Sequence, residues 1–390
     1  MGRYLRRIGE IFRRGDMVLL IMCLVLNAFG LLMIASTTNQ MGPARYLIVQ
    51  SVAAALGVLM YVLVSSIDTE FFSEHRYWLI VFNCFLLLLL IPFGTDNGSG
   101  NKSWLDFPLI PVDIQPAEIC KITFILIMAS VMASYQNRIS SVRSVFAMVF
   151  QLGLLAGLNM VLSDDLGVTL IFVFIFVGMA FSGGVSAVWF LAAIGGIAVF
   201  FPILWNFLDN YQKLRIEILF NPELDAAGTD ARYHTVRALR SLTGGGMTGQ
   251  GLFQGHRTQT EGALFAQHTD YIFAAIGEEL GFVGCALVTL ALLAIIVRVI
   301  WVGTRSPDYM RRLVCFGAAS ALIFQVTSNI GMCIGITPVI GLTLPFVSYG
   351  GSSLVTLYTM LGLVSGVYAR PTTTNLERYV QPPYMYRIKR

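Results

Sequence analysis

Residues 271–301 read YIFAAIGEELGFVGCALVTLALLAIIVRVIW, and only Glu278, Glu279 and Arg298 are charged in this run. A helix of about 20 predominantly apolar residues crosses roughly 30 Å of hydrocarbon. The run is longer than that, and the polar triplet His268-Thr269-Asp270 stands directly before it. It therefore predicts a membrane-spanning helix whose first turn follows a carboxylate at the membrane boundary.

The same pattern recurs along the chain, which is 56% hydrophobic and 12% charged, with a mean hydropathy of +0.72. A soluble protein of this length carries about twice that charged fraction. We predict an all-α integral membrane protein, a single polytopic domain over residues 1–390. Ten apolar runs predict ten transmembrane helices, at about 17–36, 46–65, 77–93, 114–134, 145–162, 166–183, 185–208, 271–301, 313–336 and 346–369.

Most of the 26 basic residues fall in the two tails and in alternate connections, which places these segments in the cytoplasm. The tails 1–16 and 370–390 are then cytoplasmic, spans one to seven occupy 17–208, and spans eight to ten occupy 271–369. The large loop 209–270, between spans seven and eight, lies outside. The net charge of +4 follows from this topology and indicates anionic membrane lipid, not nucleic acid, as the partner. All six cysteines fall within spans, which leaves no disulfide framework and no metal-ligand spacing.

Span four carries two charges in its first turns. Glu118 and Lys121 are three residues apart and share a helix face. Each alone costs several kcal/mol in hydrocarbon, so both must face the bundle interior or a wet cavity. Two interpretations stay open: a structural ion pair that joins helices, or a polar cavity for a charged substrate.

Carboxylates also mark two outer boundaries. Asp270 precedes span eight, and Glu278 lies eight residues later, roughly on the same helix face. Asp165 precedes span six, next to a more solvated Asp164. Each of Asp165 and Asp270 suits either a helix N-cap or a functional carboxylate, and both roles are compatible.

The outer loops add cations, an aromatic residue and glycines. Lys102 and Trp104 lie between spans three and four, where Trp104 is either an interfacial anchor or part of a site. The large loop contains six basic residues, Arg215 among them, which suit an anionic ligand such as a pyrophosphate. A glycine-rich turn at 244–251 permits close backbone approach. Residues 335–353, rich in glycine and proline, predict irregular backbone at membrane depth.

Together these stretches resemble the SEDS family of polytopic bacterial proteins, which includes RodA, FtsW and SpoVE. The resemblance covers nearly the whole membrane region. It is carried by Trp104, Gln115-Pro116-x-Glu118-x-x-Lys121, Asp165-Leu166-Gly167, Tyr211-Gln212-x-x-x-Arg215-Ile216, Asn221-Pro222, the turn 244–251, His268-Thr269-Asp270-Tyr271-Ile272-Phe273, Gly277-Glu278-Glu279-Leu280-Gly281-Phe282 and Pro338-Val339-x-Gly341-Leu342-x-Leu344-Pro345-Phe346-x-Ser348-Tyr349-Gly350-Gly351-Ser352.

The resemblance implies a peptidoglycan glycosyltransferase of the bacterial cytoplasmic membrane that polymerises lipid II on the outer face, with a class B penicillin-binding protein, a transpeptidase, as partner. The family's essential loop aspartate matches Asp270, which we expect to be the catalytic base. A divalent cation is an alternative source of positive charge, although the sequence offers no dedicated metal site. The expected substrate-binding residues are Trp104, Lys102, Glu118, Lys121, Asp165, Arg215, His268, Glu278 and Ser348.

The sequence departs from the family pattern at several positions. Phe265 and Ala266 stand where a Pro-Glu pair is usual, and His234 and Arg237 replace glutamines. The short tails favour the RodA-like branch. Two other functional classes remain: a lipid flippase or proton-coupled carrier, which a bundle with a buried Glu118–Lys121 pair also fits, and a non-catalytic scaffold for a transpeptidase.

Overall fold

The computed structural model describes residues 15–95, 102–106, 114–207, 210–221, 225 and 232–370. Within these ranges the fold is helical apart from one small hairpin. The helices are α1 Met17–Thr37, α2 Pro43–Ser65, α3 Thr69–Glu74, α4 Arg76–Leu88, α5 Leu90–Phe93, α6 Pro116–Ser134, α7 Val142–Ser163, α8 Leu166–Ser182, α9 Ala187–Phe207, α10 Asn210–Phe220, α11 Tyr233–Gly245, α12 Ile272–Arg305, α13 Tyr309–Cys333 and α14 Gly351–Ala369.

The all-α membrane fold is confirmed. Among the described residues, eight helical stretches are long and apolar enough to cross a membrane, and the shorter apolar helices α8 and Ala187–Ile203 fall on the predicted spans six and seven. The count of ten spans and the cytoplasmic location of both termini stay predictions. The tails predicted at 1–16 and 370–390 lie almost entirely outside the described residues.

The centre of the bundle is formed by α6, α13 and α14, whose side chains are buried around most of the helix surface. Helix α14 packs along α2, and α13 packs against α8 and α12. By contrast, α9 has no buried side chain among those described. The polar residues predicted to avoid lipid are therefore on central helices.

A two-residue hairpin, missing from the sequence prediction, precedes α6. Strand β1, Gly94–Thr95, pairs antiparallel with β2, Trp104–Leu105, and Leu105 also bridges to Ile114. The hairpin fixes the start of the outer segment 102–106 above the first turn of α6.

Helix α12 is kinked at Gly281, where φ is 66° and ψ is −165°. The glycine-rich turn lies against this kink: Gln250 and Gly251 donate backbone hydrogen bonds to the carbonyls of Glu278 and Glu279, both at 2.9 Å. A Cβ on Gly249, whose φ is +80°, would lie 2.2 Å from the Glu279 carbonyl oxygen. The glycines therefore allow the loop backbone to pack directly on the helix backbone.

Helix α11 lies inside the large loop and was not predicted from the sequence. Its buried side belongs to small residues at helical spacing, Thr235, Ala238, Ser241 and Gly245. This stripe packs on α12, and a Cβ on Gly245 would lie 1.9 Å from the Gly277 carbonyl oxygen. A search for small residues at i, i+3 and i+4 would have found it.

The connecting segment, residues 334–350, has no helix, as predicted. Helix α13 begins a few residues before the limit predicted for span nine, and α14 begins a few residues after the limit predicted for span ten. Helix α13 starts at Tyr309 because Asp308 caps it, accepting from the Arg311 backbone N–H at 2.8 Å. Helix α14 starts only at Gly351, since Phe346 has a positive φ of 64°. The segment's apolar side chains are buried in the bundle, which is the condition for irregular backbone at this depth.

At the opposite end of α12, Arg298 forms a bidentate ion pair with Asp16, at 2.9 and 3.0 Å. The backbone N–H of Asp16 donates to Ser365 and its carbonyl accepts from Tyr61. Helices α1, α2, α12 and α14 thus meet at Asp16, through its backbone and its buried carboxylate. This contact fixes the far end of the helix that follows Asp270.

Candidate functional site

The His268-Thr269-Asp270 triplet is held through its backbone. Each of its three carbonyl oxygens accepts a hydrogen bond: His268 from the Tyr349 N–H at 2.8 Å, Thr269 from Ser348 Oγ at 2.6 Å, and Asp270 from Asn329 Nδ2 at 2.8 Å. The Asp270 carbonyl also accepts a weaker one from Cys333 Sγ at 4.0 Å. Two of these donors belong to the connecting segment and the other two to α13. The predicted irregular backbone at 335–353 therefore positions the predicted base.

The side chain of Asp270 does not cap its helix. The N-cap of α12 is Tyr271, and no side chain makes a capping hydrogen bond there. Asp270 is partly exposed, one carboxylate oxygen lies close to Gly341, and no hydrogen bond to this carboxylate is found among the described residues. The N-cap interpretation of Asp270 is therefore wrong, and its carboxylate is free to accept a proton.

Asp165 does cap its helix. Its Oδ1 accepts from the Val168 backbone N–H at 3.0 Å at the start of α8. Its Oδ2 faces the other way, 3.4 Å from both Ser103 Oγ and Gln115 Nε2. One carboxylate thus joins α8, the outer segment 102–106 and the start of α6. Its neighbour Asp164 is exposed and has a φ of 52°, as a solvated turn residue would.

The two aspartates influence one another electrostatically. Burial, with a smaller contribution from the charge of Asp165, raises the pKa of Asp270 to about 6. Burial also raises the pKa of Asp165, with a smaller contribution from Glu118. Burial lowers the pKa of His268, so its imidazole is neutral near pH 7. With a pKa near 6, Asp270 is mostly ionised near neutral pH and more basic than an ordinary aspartate, which suits it to accepting a proton from a hydroxyl group.

Lys102 and Trp104 flank Ser103, whose hydroxyl lies 3.4 Å from Asp165 Oδ2, so the structure brings the segment 102–106 to Asp165. Lys102 is exposed, with no ion pair among the described residues. Trp104 is partly exposed and its backbone belongs to β2. A free ammonium group here can approach an anionic ligand at the end of the bundle that carries Asp165.

The shared face of Glu118 and Lys121 is confirmed, and the two form a buried ion pair of 2.7 Å. The second oxygen of Glu118 accepts from Thr356 Oγ1 on α14 at 2.9 Å. The pair therefore links α6 to α14, as the structural interpretation expects. It also lies on the helix whose N-terminus contacts Asp165.

Glu278 and Glu279 bind different parts of the loop. Glu278 accepts from the backbone N–H groups of Arg257 and Thr258, at 2.7 and 3.2 Å, and from the Thr258 hydroxyl at 3.0 Å. Glu279 accepts from Ser36 Oγ at 2.7 Å and from the Phe253 N–H at 3.2 Å. Both carboxylates are at most 1% exposed. Their contacts anchor the large loop, so the substrate-binding role expected of Glu278 is not favoured.

Two other expected ligands have structural contacts. Ser348 is 5% exposed, and its hydroxyl both donates to Thr269 and accepts from the Leu344 N–H at 2.8 Å. His268 packs edge-on against Tyr46, with ring centroids 5.1 Å apart. Arg215 falls in α10, and its side chain lies outside the described part of the structure.

Over the described ranges, no group of three or more His, Cys, Asp and Glu side chains is arranged to hold a metal ion. The sequence analysis missed Asn329, which contacts the backbone of Asp270. It named Gln115 in the motif of span four but not as a site residue, and the structure places its side chain 3.4 Å from the carboxylate of Asp165. Asn329 was detectable as an amide inside a span, a position that requires a polar partner.

A family model described as a cell cycle protein, FtsW/RodA/SpoVE, matches residues 17–372. The chain belongs to this family. It is similar to the peptidoglycan glycosyltransferase MrdB of Escherichia coli K12, with 32% identity over 361 residues, 90% of this chain and 93% of that protein. It is also 30% identical to a probable peptidoglycan glycosyltransferase FtsW of Geobacter metallireducens, over 92% of this chain and 95% of that protein.

Solved structures of FtsW/RodA/SpoVE-like fold agree with this assignment. One similar chain belongs to a peptidoglycan synthase complex that coordinates polymerization and crosslinking. It has a TM-score of 0.78 and 27% identity, over 92% of this chain and 99% of that one. The rod shape determining protein RodA of Thermus thermophilus has a TM-score of 0.67 and 25% identity, over 92% and 98% of the two chains.

Within the FtsW/RodA/SpoVE framework, the unusual residues before the triplet form a defined turn. Ala266 has a φ of 47°, and its carbonyl accepts from the backbone N–H groups of Thr269 and Tyr271, both at 3.1 Å. The ring of Phe265 lies 4.7 Å from that of His234. Arg237 donates to the Gly262 carbonyl at 2.6 Å. These contacts fix the loop without the usual glutamate.

Proposed function

We propose that this chain polymerises lipid II into glycan strands at the outer face of the bacterial cytoplasmic membrane. The chain is a peptidoglycan glycosyltransferase of cell-wall synthesis, as its family membership and its relatives indicate. Lipid II carries a disaccharide-pentapeptide on undecaprenyl pyrophosphate. The proposal adds the substrate, the stereochemistry and the roles of individual residues to the reaction class.

The reaction forms one glycosidic bond and breaks one bond to phosphate. A sugar C4 hydroxyl attacks the anomeric carbon that carries the pyrophosphate lipid. The new C–O bond forms while the bond from the anomeric carbon to the pyrophosphate oxygen breaks, and the pyrophosphate leaves with the electron pair. The hydroxyl proton passes to a base, and attack from the face opposite the leaving group inverts the anomeric carbon.

Asp270 is the base in this proposal. The observation that carries it is a partly exposed carboxylate at the membrane boundary that neither caps its helix nor accepts a hydrogen bond from the described residues. Its raised pKa, about 6, gives it more basic strength than an ordinary aspartate while leaving it mostly ionised at pH 7.5. Asp165 raises that pKa and orients the segment containing Lys102.

Pyrophosphate is a good leaving group, so the protein has to neutralise its charge more than to protonate it. Lys102 is an exposed cation on the segment that contacts Asp165, and it is the first candidate to bind a phosphate oxygen. Lys121 is held by Glu118 and contributes its charge from within the bundle. Arg215 is the third candidate, on the strength of its position in the large loop.

The partner in this proposal is a single-pass class B penicillin-binding protein, which would crosslink the strands as they are made. Support comes from the similar chain in a peptidoglycan synthase complex that couples polymerization and crosslinking. The termini are assigned to the cytoplasm on the distribution of basic residues.

The test uses purified Asp270→Asn protein, with Asp164→Asn as the matched control. Asp164 is also an aspartate at an outer turn, and Asn tolerates its positive φ. With fluorescent lipid II in detergent, we expect Asp164→Asn to polymerise at the normal rate and Asp270→Asn to lose at least about 100-fold. Normal polymer yield from folded Asp270→Asn would refute the assignment. Strand formation in detergent also separates a polymerase from a flippase.

A further inference from the structure

We propose that Asn329 on α13 is a positioning residue that sets the location of the Asp270 carboxylate by binding the Asp270 backbone. The inference rests on the proposed function, because it assigns Asn329 a role toward the same base. Asn329 is 0% exposed and acts through Asp270 rather than on the substrate.

One amide group makes both contacts. Asn329 Nδ2 donates to the Asp270 carbonyl oxygen at 2.8 Å and to the Leu342 carbonyl oxygen at 2.6 Å. An amide nitrogen has two hydrogens, so both are used. The reversed amide would turn its oxygen toward two carbonyl oxygens, so these contacts settle its orientation. Asn329 therefore joins Asp270 to the connecting segment.

The Asn329 oxygen is buried with no hydrogen-bond partner among the described residues. Leaving a buried acceptor unpaired costs free energy. An apolar residue at this position would avoid that cost but would leave the two carbonyls unsatisfied. The cost of the unpaired oxygen offsets part of the gain from the two hydrogen bonds, so Asn329 contributes little net stability. The two hydrogen bonds do fix the distance between Asp270 and Leu342.

The hydrogen bond from Asn329 to the Asp270 backbone matters because none of the described residues holds the Asp270 carboxylate directly. No hydrogen bond to its carboxylate is found among the described residues, so the position of the carboxylate follows from the backbone and the side-chain torsions. The backbone is held at three successive carbonyls, by Tyr349, Ser348 and Asn329. Asn329 is the donor at Asp270 itself, so its loss should move the carboxylate most.

The charged and titratable groups around this carboxylate are few. Asp165 at the start of α8 interacts with it directly, and Glu118 acts on Asp165. His268 is on the same segment, and Cys333 of α13 lies 4.0 Å from the Asp270 carbonyl oxygen. A carboxylate that moves toward water loses part of the burial that raises its pKa, so its pKa should fall toward the ordinary value.

The experiment replaces Asn329 with Leu, which has the same branched arrangement of side-chain heavy atoms and no donor. We expect kcat for lipid II to fall about 10- to 100-fold, the loss that a displacement of about 1 Å produces, with KM changed less than about threefold. The acid limb of the kcat–pH profile should also move to lower pH. The control is Asn83→Leu, another 0% exposed asparagine that joins two spans through Thr123. It should lower thermal stability without moving the acid limb.

Ser348→Ala is the second variant and removes the donor to the Thr269 carbonyl. Ser348→Ala should change kcat and the acid limb in the same direction as Asn329→Leu, but by less. If Asn329→Leu does not fold, Asn329→Ser tests the same position. Folded Asn329 variants with unchanged kcat, or with lower kcat and an unmoved acid limb, would overturn the positioning role. The two proposals can be refuted independently. An active Asp270→Asn enzyme would refute the assignment of Asp270 as the base, whatever the Asn329 variants show.

Discussion

The rate of strand polymerisation should fall steeply as the pH drops through about 6. Asp270 must be ionised to accept the hydroxyl proton, and its pKa is raised from 3.8 to about 6, first by burial and then by Asp165. At pH 7.5 about 97% of such a group is ionised, and at pH 5 about 9%, so the rate should fall about tenfold between them. An aspartate with the ordinary pKa would lose less than about 10% over this range.

The perturbation is Asp165→Asn, which removes the neighbouring charge and keeps the shape of the side chain. The acid limb should then move to lower pH, but not as far as 3.8, because burial is the larger cause of the shift. The position of the acid limb is measured from initial polymerisation rates with fluorescent lipid II in detergent, from pH 5 to 8. Each variant is scaled to its own plateau, since Asp165 also contacts Ser103 and Gln115 and its loss can lower the maximal rate.

Asp164→Asn should keep the wild-type profile, because Asp164 is exposed and makes no contribution to the Asp270 pKa. Size-exclusion chromatography at pH 5 checks that the protein remains folded and monodisperse. A rate that is flat from pH 5 to 7.5 in folded protein would refute the assignment of Asp270 as a base with a raised pKa. An acid limb that stays in place in Asp165→Asn would refute the electrostatic link between the two aspartates.

Three further predictions concern stability. When the pKa of a carboxyl group is higher in the folded than in the unfolded state, the folded protein loses stability as the pH rises past the unfolded pKa. For Asp270, the rise in pKa from 3.8 to about 6 corresponds to a loss of about 3 kcal/mol at most. Asp270→Asn should therefore raise the thermal midpoint at pH 7.5 and have little effect at pH 4; equal effects at both would contradict this. Glu279→Ala removes the acceptor for Ser36 Oγ and should cost about 2–4 kcal/mol, measured as a lower midpoint and faster proteolysis of the large loop. Gly249→Ala should abolish folding, because the new Cβ would meet the Glu279 carbonyl. The control is Gly262→Ala, which is also at positive φ but in open space and should cost only about 1 kcal/mol of stability. Similar yields of folded protein from the two variants would refute the packing argument.

Much of the fold followed from local physics. A helix that crosses hydrocarbon needs a long apolar run, so the ten runs located the helices to within a few residues. Irregular backbone at membrane depth was equally predictable, since Pro338, Gly341 and Pro345 stand too close together for a helix. Helix α11 was missed because its buried stripe is made of small residues, which contribute little to hydropathy. The kink at Gly281 depends on the turn 244–251, which packs there from a distant part of the chain.

The candidate site was predicted by residue type more securely than by role. Glu118 and Lys121 share one helix, so their pairing followed from spacing alone. Glu278 shared a helix face with Asp270 in the sequence, yet its carboxylate binds Arg257 and Thr258 of the large loop. Which loop covers a helix face is a long-range property that periodicity does not contain. Asn329 escaped attention for the same reason, because its partners lie 59 and 13 residues away.

The two outer aspartates show why tertiary contacts decide such roles. Asp165 and Asp270 each precede an apolar helix, and the same rule predicts an N-cap for both. Asp165 follows it, because its backbone is extended and its Oδ1 reaches the N–H of Val168 three residues on. At Asp270 the cap position passes to Tyr271, since the Ala266 carbonyl binds the Tyr271 N–H and Asn329 binds the Asp270 carbonyl. A carboxylate released from capping has no internal use for its charge, and that release is what leaves it available for chemistry.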